Sequence, residues 1–172
     1  MLKPDWAFVP ETREPIINGA FCYVLLKGGS VSVCDAKDIE ILPNLMFQKK
    51  RGYACTSVGS KRMHQWLNPN WKMTDHRDGN KLNNCRYNLR ECNTSQNGAN
   101  KKKSSGTSSI YKGVCWNKKK KKWESCIERL SVKYHLGIFD DELVAAKAYD
   151  IKAIELFGEF ARPNFEVSAC AQ

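Results

Sequence analysis

Apolar positions recur at two different periods along this chain, and the contrast predicts most of its elements. In the first hundred residues the runs are short. Residues 20–26 (AFCYVLL) and 31–33 (VSV) read as strands joined at Gly28 and Gly29. Asp35 is placed to cap a short helix that runs through Leu42 and ends at Pro43. Residues 53–58 alternate like a further strand. Residues 61–67 read as a short helix with Met63, Trp66 and Leu67 on one side. The first fifteen or so residues carry no interpretable pattern.

The last sixty residues are clearer. Residues 111–116, 123–128 and 132–137 read as three strands, joined by the lysine loop 118–122 and by a turn at 129–131. Residues 141–157 form an Ala-rich helix without Gly or Pro, capped by Asp141 and stopped by Gly158. Leu143, Ala146, Tyr149, Ala153, Ile154 and Phe157 recur at helical spacing. The expected result is a three-stranded antiparallel sheet packed on one helix. Strand alternation turns Trp123, Ser125 and Ile127 toward the helix and Glu124, Cys126 and Glu128 away from it, with Lys133 and His135 on the same open face. Residues 101–109 (KKKSSGTSS) read as a linker. The expected domains are therefore an N-terminal region over 1–100 and a C-terminal domain over 110–166.

Composition adds a partner. The chain has 172 residues, 42% of them hydrophobic and 27% charged, which suits one ordinary domain or two small ones. Its net charge of +10 points to a polyanion. Residues 101–135 carry a net +9 and residues 136–172 a net −4, and so sharp a change of sign favours a binding face over a merely solvated one. No run approaches the ~18 apolar residues of a membrane span, and the N-terminus does not resemble a secretory signal. The expectation is an intracellular protein with reduced thiols. The eight cysteines include no C-x-x-C pair, which disfavours a structural zinc.

Candidate chemistry sits in residues 74–100, TDHRDGNKLNNCRYNLRECNTSQNGAN. Hydrolysis of a phosphodiester needs a base for the attacking water and a cation for the developing charge. A histidine suits the first role, and a hard divalent ion on oxygen ligands suits the second. Asp75 and His76 are adjacent on an expected strand, so their side chains point to opposite faces. Asn97 lies on a short helix that Thr94 could cap. This stretch resembles the HNH endonuclease motif of phage and intron-encoded homing enzymes. The resemblance implies a ββα-metal nuclease unit with its core motif at 60–100. It implies that His76 is the general base, that Asn88 ties the metal loop together, and that Asp75 and Asn97 hold one divalent ion, Mg²⁺ or alternatively Mn²⁺. The upstream residues 61–67 (KRMHQWL) resemble a further family segment, with Gln65 where Arg is usual; His64 there reads as a packing or hydrogen-bonding histidine and not a ligand.

Residues 111–165 resemble the Apetala/ethylene-response-factor DNA-binding domain of plants, with Tyr149, Asp150, Asn164 and Phe165 matching its pattern outright. By that resemblance DNA is met by Lys112, Trp116, Lys118, Lys119, Lys120, Lys121, Lys122, Lys133 and His135. Lysine in place of arginine loses bidentate guanine recognition, so the domain is expected to anchor on phosphates more than it reads sequence. Such domains also occur fused to HNH nucleases in phages and mobile elements. The combined expectation is an α+β, Mg²⁺-dependent endonuclease of homing type that binds double-stranded DNA as a monomer, nicking one strand or cutting two. A non-catalytic DNA-binding regulator with a decayed nuclease unit and a broad-specificity HNH nuclease are the alternatives.

Overall fold

A computed structural model describes residues 2–12, 14–43 and 46–165 of the chain. It is a mixed α and β protein with several small antiparallel sheets and few helices. Two compact units divide between Cys92 and Asn93.

In the first unit, β1 (Ile16–Asn18), β2 (Phe21–Leu25) and β3 (Val31–Asp35) form an antiparallel meander with β2 in the middle. Alternation along β2 divides its side chains between two covered faces. Cys22 and Val24 pack with Phe47, Met63, Leu67 and Leu89. Phe21 and Tyr23 pack with Val33 and Cys85, under Phe8 and Tyr87. The N-terminal stretch, mute in the sequence, is anchored there: the Phe8 ring lies 4.7 Å from that of Tyr23, whose hydroxyl accepts from the Asp5 N–H at 2.8 Å.

After β3 the short helix expected through Leu42 is a 3-10 helix over Ala36–Ile41. Asp35 makes no side-chain cap, because its Oδ2 accepts from the backbone N–H of Arg86 at 2.7 Å. The hairpin of β4 (Phe47–Lys50) and β5 (Tyr53–Thr56) reverses at Arg51 and Gly52, both with positive φ as a two-residue type I′ turn requires. β5 stops short of Val58, whose carbonyl accepts from the Thr56 hydroxyl at 2.7 Å. Helix α1 (Met63–Leu67) buries Met63, His64 and Leu67. Trp66, expected beside them, is only partly covered and lies 3.8 Å beneath the Lys61 ammonium. β6 (Thr74–His76) and β7 (Leu89–Glu91) then pair antiparallel around a long loop.

The second unit opens with α2 (Thr94–Ala99), capped by Asn93 and not by Thr94. The Asn93 Oδ1 accepts from the Gln96 N–H, and the Gln96 Oε1 accepts from the Asn93 N–H, both at 2.9 Å. No helix or strand occurs over 101–109. β8 (Val114–Asn117), β9 (Lys122–Arg129) and β10 (Val132–Phe139) form an antiparallel sheet with β9 in the middle. Helix α3 (Glu142–Phe157) covers one face; the Asp141 Oδ1 accepts from the N–H groups of Leu143 and Val144, and Gly158 ends it at φ 51°.

The stripe that α3 buries is Ala145, Ala146, Tyr149, Asp150, Ala153 and Phe157. Leu143 and Ile154, expected in it, are turned outward, because the close approach follows the small alanines. Asp150 and Asn164 are structural ties. The Asp150 carboxylate accepts from the backbone N–H groups of Asn164 and Phe165, and Asn164 Oδ1 accepts from the Lys112 N–H at 2.6 Å.

The seven described cysteines are free thiols; Cys170, and Glu166 at the end of the expected C-terminal domain, lie outside the described residues. Among the described residues no helix is long and apolar enough to cross a membrane.

Gly113 carries a close approach. It sits at φ +77°, and a Cβ there would lie 1.9 Å from Cδ2 of the Tyr149 ring. Gly113→Ala is expected to destabilise the second unit by about 3 kcal/mol, from backbone strain plus overpacking. Urea unfolding followed by tryptophan fluorescence measures this, and an unchanged midpoint contradicts the packing.

Candidate active site and basic surfaces

β6 and β7 bring together Asp75, His76 and Arg90. Asp75 lies directly across from Arg90, whose Nε and Nη2 donate to Asp75 Oδ2 at 2.8 and 2.7 Å. Both side chains are buried. Such a pair is far more costly to break than to leave intact, because either partner alone would be an uncompensated buried charge.

The loop between the strands is knitted by amides. Asn88 Oδ1 accepts from the Asp78 N–H, while its Nδ2 donates to Asp78 Oδ1 and to the Asn83 carbonyl, all between 2.8 and 3.0 Å. Asn88 therefore ties this loop together through its side-chain amide. Arg86 fastens the same loop from outside, with Nε and Nη2 gripping the buried Asp38 carboxylate at 2.7 to 3.0 Å.

His76 occupies an enclosed place, 4% exposed. Its ring stands 5.2 Å from that of His64 and 6.0 Å from that of Tyr53, and the Tyr53 and His64 rings are 5.5 Å apart. Nε2 lies 3.4 Å from Asn84 Oδ1. Burial lowers the His76 pKa, against the opposing pull of the Asn84 hydrogen bond, Asp78 and Asp75, so the ring is neutral at pH 7. His64 is lowered further, to about 3, by burial first and then by His76 and Arg62. It is a packing histidine, as the sequence indicates.

Three cationic groups around this cluster escape a motif reading. The Arg62 guanidinium lies 4.4 Å and the Lys81 ammonium 4.5 Å from the Tyr53 ring, with Arg51 at the adjoining turn. A signal for them exists in the sequence: residues 41–74 hold six Lys or Arg and no Asp or Glu.

Asn97 lies on α2 in the second unit, whereas Asp75, His76 and Asn88 lie in the first. Of the residues expected to meet DNA, Lys118, Lys119, Lys120 and Lys121 are exposed on the turn between β8 and β9, where Asn117 Oδ1 accepts from two of their backbone N–H groups. Lys122 is drawn to Asp140 at 2.9 Å. Lys133 stands across from Glu128, and His135 Nε2 lies 3.3 Å from Glu124. Lys112 turns inward, its Nζ donating to the Ala99 carbonyl at the end of α2, and burial followed by repulsion from Arg162 lowers its pKa to about 8. Trp116 pairs with Trp123, the rings 4.9 Å apart. It therefore faces the helix side and not the open face.

Two sets of known proteins resemble different parts of the chain. Over 124 residues it is 33% identical to an uncharacterised HNH endonuclease of Acanthamoeba polyphaga mimivirus, an alignment that covers 67% of this chain and 64% of that protein. The chain is similar to a viral HNH endonuclease. Over 73 residues it is 41% identical to two AP2-like ethylene-responsive transcription factors of Arabidopsis thaliana, covering 40% of this chain and 15% and 13% of theirs. The chain thus spans less than two thirds of the length of each relative. No family model matches the chain, and no solved structure matches it.

The buried histidines have a consequence for stability. His64 titrates near 6.5 when unfolded and near 3 when folded, so between these values the unfolded chain binds a proton that the native state refuses. Stability should be complete above pH 6.5 and fall as the pH drops toward 3, by on the order of 1 kcal/mol per pH unit. The lowered pKa of His76 acts in the same direction. His64→Phe is expected to flatten this acid limb in denaturation curves between pH 7 and 4.5; an unaltered slope would remove His64 as its source.

Proposed function

We propose that the protein is a metal-dependent endonuclease that hydrolyses phosphodiester bonds of double-stranded DNA. The observation that carries this reading is the content of β6: a buried neutral imidazole beside a carboxylate locked by Arg90, next to a loop closed by Asn88. The similarity to the viral HNH endonuclease supports it.

In this reading His76 accepts the proton of the attacking water, for which a neutral ring at physiological pH is required. Asn88 holds the loop that carries the strand end. Asp75 would help to hold the ion: its carboxylate oxygens are hard donors that suit Mg²⁺ or Mn²⁺, and Arg90 already fixes its orientation. The amide oxygen of Asn97 is a donor of the same hard class. When bound, such an ion supplies charge stabilisation at the phosphate and the leaving oxygen.

Two basic surfaces would meet the polyanion. On the second unit it is the turn of Lys118 to Lys121. On the first it is the acid-free surface around Tyr53, with Arg51, Arg62 and Lys81 near His76. The enzyme would be of homing type, cutting one strand or two.

A second reading, a DNA-binding regulator without catalysis, is favoured by the likeness to plant transcription factors and by the ion pair that already occupies Asp75. Cleavage of supercoiled plasmid in Mg²⁺ separates the two. The protein should nick or linearise the plasmid, and His76→Ala should lower the rate by at least about 100-fold while binding persists. Binding without cleavage by either protein, on any DNA offered, would establish the regulator. Binding should weaken steeply with salt. Replacing Lys118 to Lys121 with Gln should reduce the log–log slope by about 0.9 for each phosphate no longer neutralised, and an unchanged slope would remove this turn from the interface.

A further inference from the structure

His76 has a neighbour that none of the roles above uses. Asn84 is 1% exposed, and its Oδ1 lies 3.4 Å from His76 Nε2. On the other side its Nδ2 donates to Ser32 Oγ at 3.0 Å and to the Leu82 carbonyl at 3.3 Å. Ser32 is fully buried on β3, fifty-two residues upstream, and its hydroxyl donates to the same Leu82 carbonyl at 2.9 Å.

The chemistry of these groups leaves one arrangement. A backbone carbonyl can only accept, so the edge of the Asn84 amide that faces Leu82 must be the NH₂. Flipping the amide would set its oxygen against the carbonyl. Ser32 Oγ lies 2.9 Å from the Leu82 carbonyl and 3.5 Å from Met63 Sδ, and whichever accepts its proton, a Ser32 lone pair receives the second Asn84 hydrogen. The amide oxygen is thereby aimed at His76 Nε2, and an amide oxygen also only accepts. Nε2 must then carry the ring proton, which leaves the imidazole lone pair on Nδ1.

We propose that Asn84, held by Ser32 and the Leu82 carbonyl, is a positioning residue that fixes both the rotation of the His76 ring and its Nε2–H tautomer. The N-terminal sheet is then part of the catalytic apparatus, because β3 supplies the hydroxyl that orients the amide. The tautomer assignment stands on geometry alone; only its effect on cleavage rests on the nuclease reading.

The test is long-range ¹H–¹⁵N NMR of the full-length protein labelled in its histidine rings. The chain has three histidines, and His76→Gln identifies the His76 signals by their loss. The wild type should show His76 as the Nε2–H tautomer. Asn84→Leu should give a mixture of tautomers or the Nδ1–H form. Ser32→Ala, a milder change that keeps the fold should Asn84→Leu disrupt it, should shift the population part of the way. A wild-type His76 in the Nδ1–H form overturns the proposal, as does an unchanged tautomer in Ser32→Ala or in folded Asn84→Leu. In plasmid cleavage, Asn84→Leu should lower kcat about 10- to 100-fold with KM and metal-free DNA binding unchanged, the scale on which orienting partners of functional histidines act. A fall in binding with no change in kcat would also overturn it. If the wild type cuts no DNA while the tautomer follows Asn84, the nuclease reading fails and the positioning role stands.

Discussion

The first unit depends on a short parallel pairing at the outer edge of β3. The Val33 N–H donates to the Leu82 carbonyl at 2.9 Å, and the Asn84 N–H donates to the Val33 carbonyl at 2.7 Å. β3 is the last strand of its sheet, so this loop covers what would otherwise be an open row of backbone donors and acceptors. Extended backbone alternates its side chains, and the two adjacent asparagines are divided accordingly. Asn83 turns toward Asp78 and Tyr87 and knits the loop, while Asn84 turns toward Ser32 and His76. A slip of one residue would exchange these roles, leaving the loop unknitted and the histidine unoriented.

Around that pairing the charges follow one rule. Each deeply buried carboxylate of the first unit has an arginine, Asp75 with Arg90 and Asp38 with Arg86, because an isolated buried charge is too costly to keep. The imidazoles solve the same problem the other way, by staying neutral. His76 is thus held neutral by the same burial that makes it hard to protonate. Asp75 is constrained differently: Arg90 both fixes its orientation and shares its negative charge.

Local pattern made much of this fold legible. The strands of the second unit, the cap at Asp141, the stop at Gly158 and the inward placement of Trp123, Ser125 and Ile127 depend on neighbours a few residues away. What the pattern could not show are contacts across large separations. Asp35 reads as a helix cap because the nearest amides are those of the following residues, yet it takes the amide of Arg86. Phe8 gives no signal because its partner, Tyr23, lies on a strand whose outer face looks exposed until the N-terminal stretch covers it. Asp75, His76 and Asn88 stand out by motif, whereas Ser32 and Asn84 do not. A serine on a strand has no signature unless the residue it meets fifty positions later is known.

The second unit shows why net charge alone misplaces a surface. Its positive excess is real, but Lys122 is drawn to Asp140, Lys133 stands across from Glu128, and His135 leans on Glu124. Lys112 is spent on the end of α2, and Trp116 belongs to the helix side. The turn at Lys118 to Lys121 gathers four exposed ammonium groups in succession. Four flexible ammonium groups on one turn match a phosphate backbone well, since point charges need no fixed geometry to neutralise it. A face of paired acids and bases matches base edges poorly, because its carboxylates repel the phosphates that flank any groove. The charge pattern of this unit therefore suits the neutralising of phosphates better than the reading of base edges.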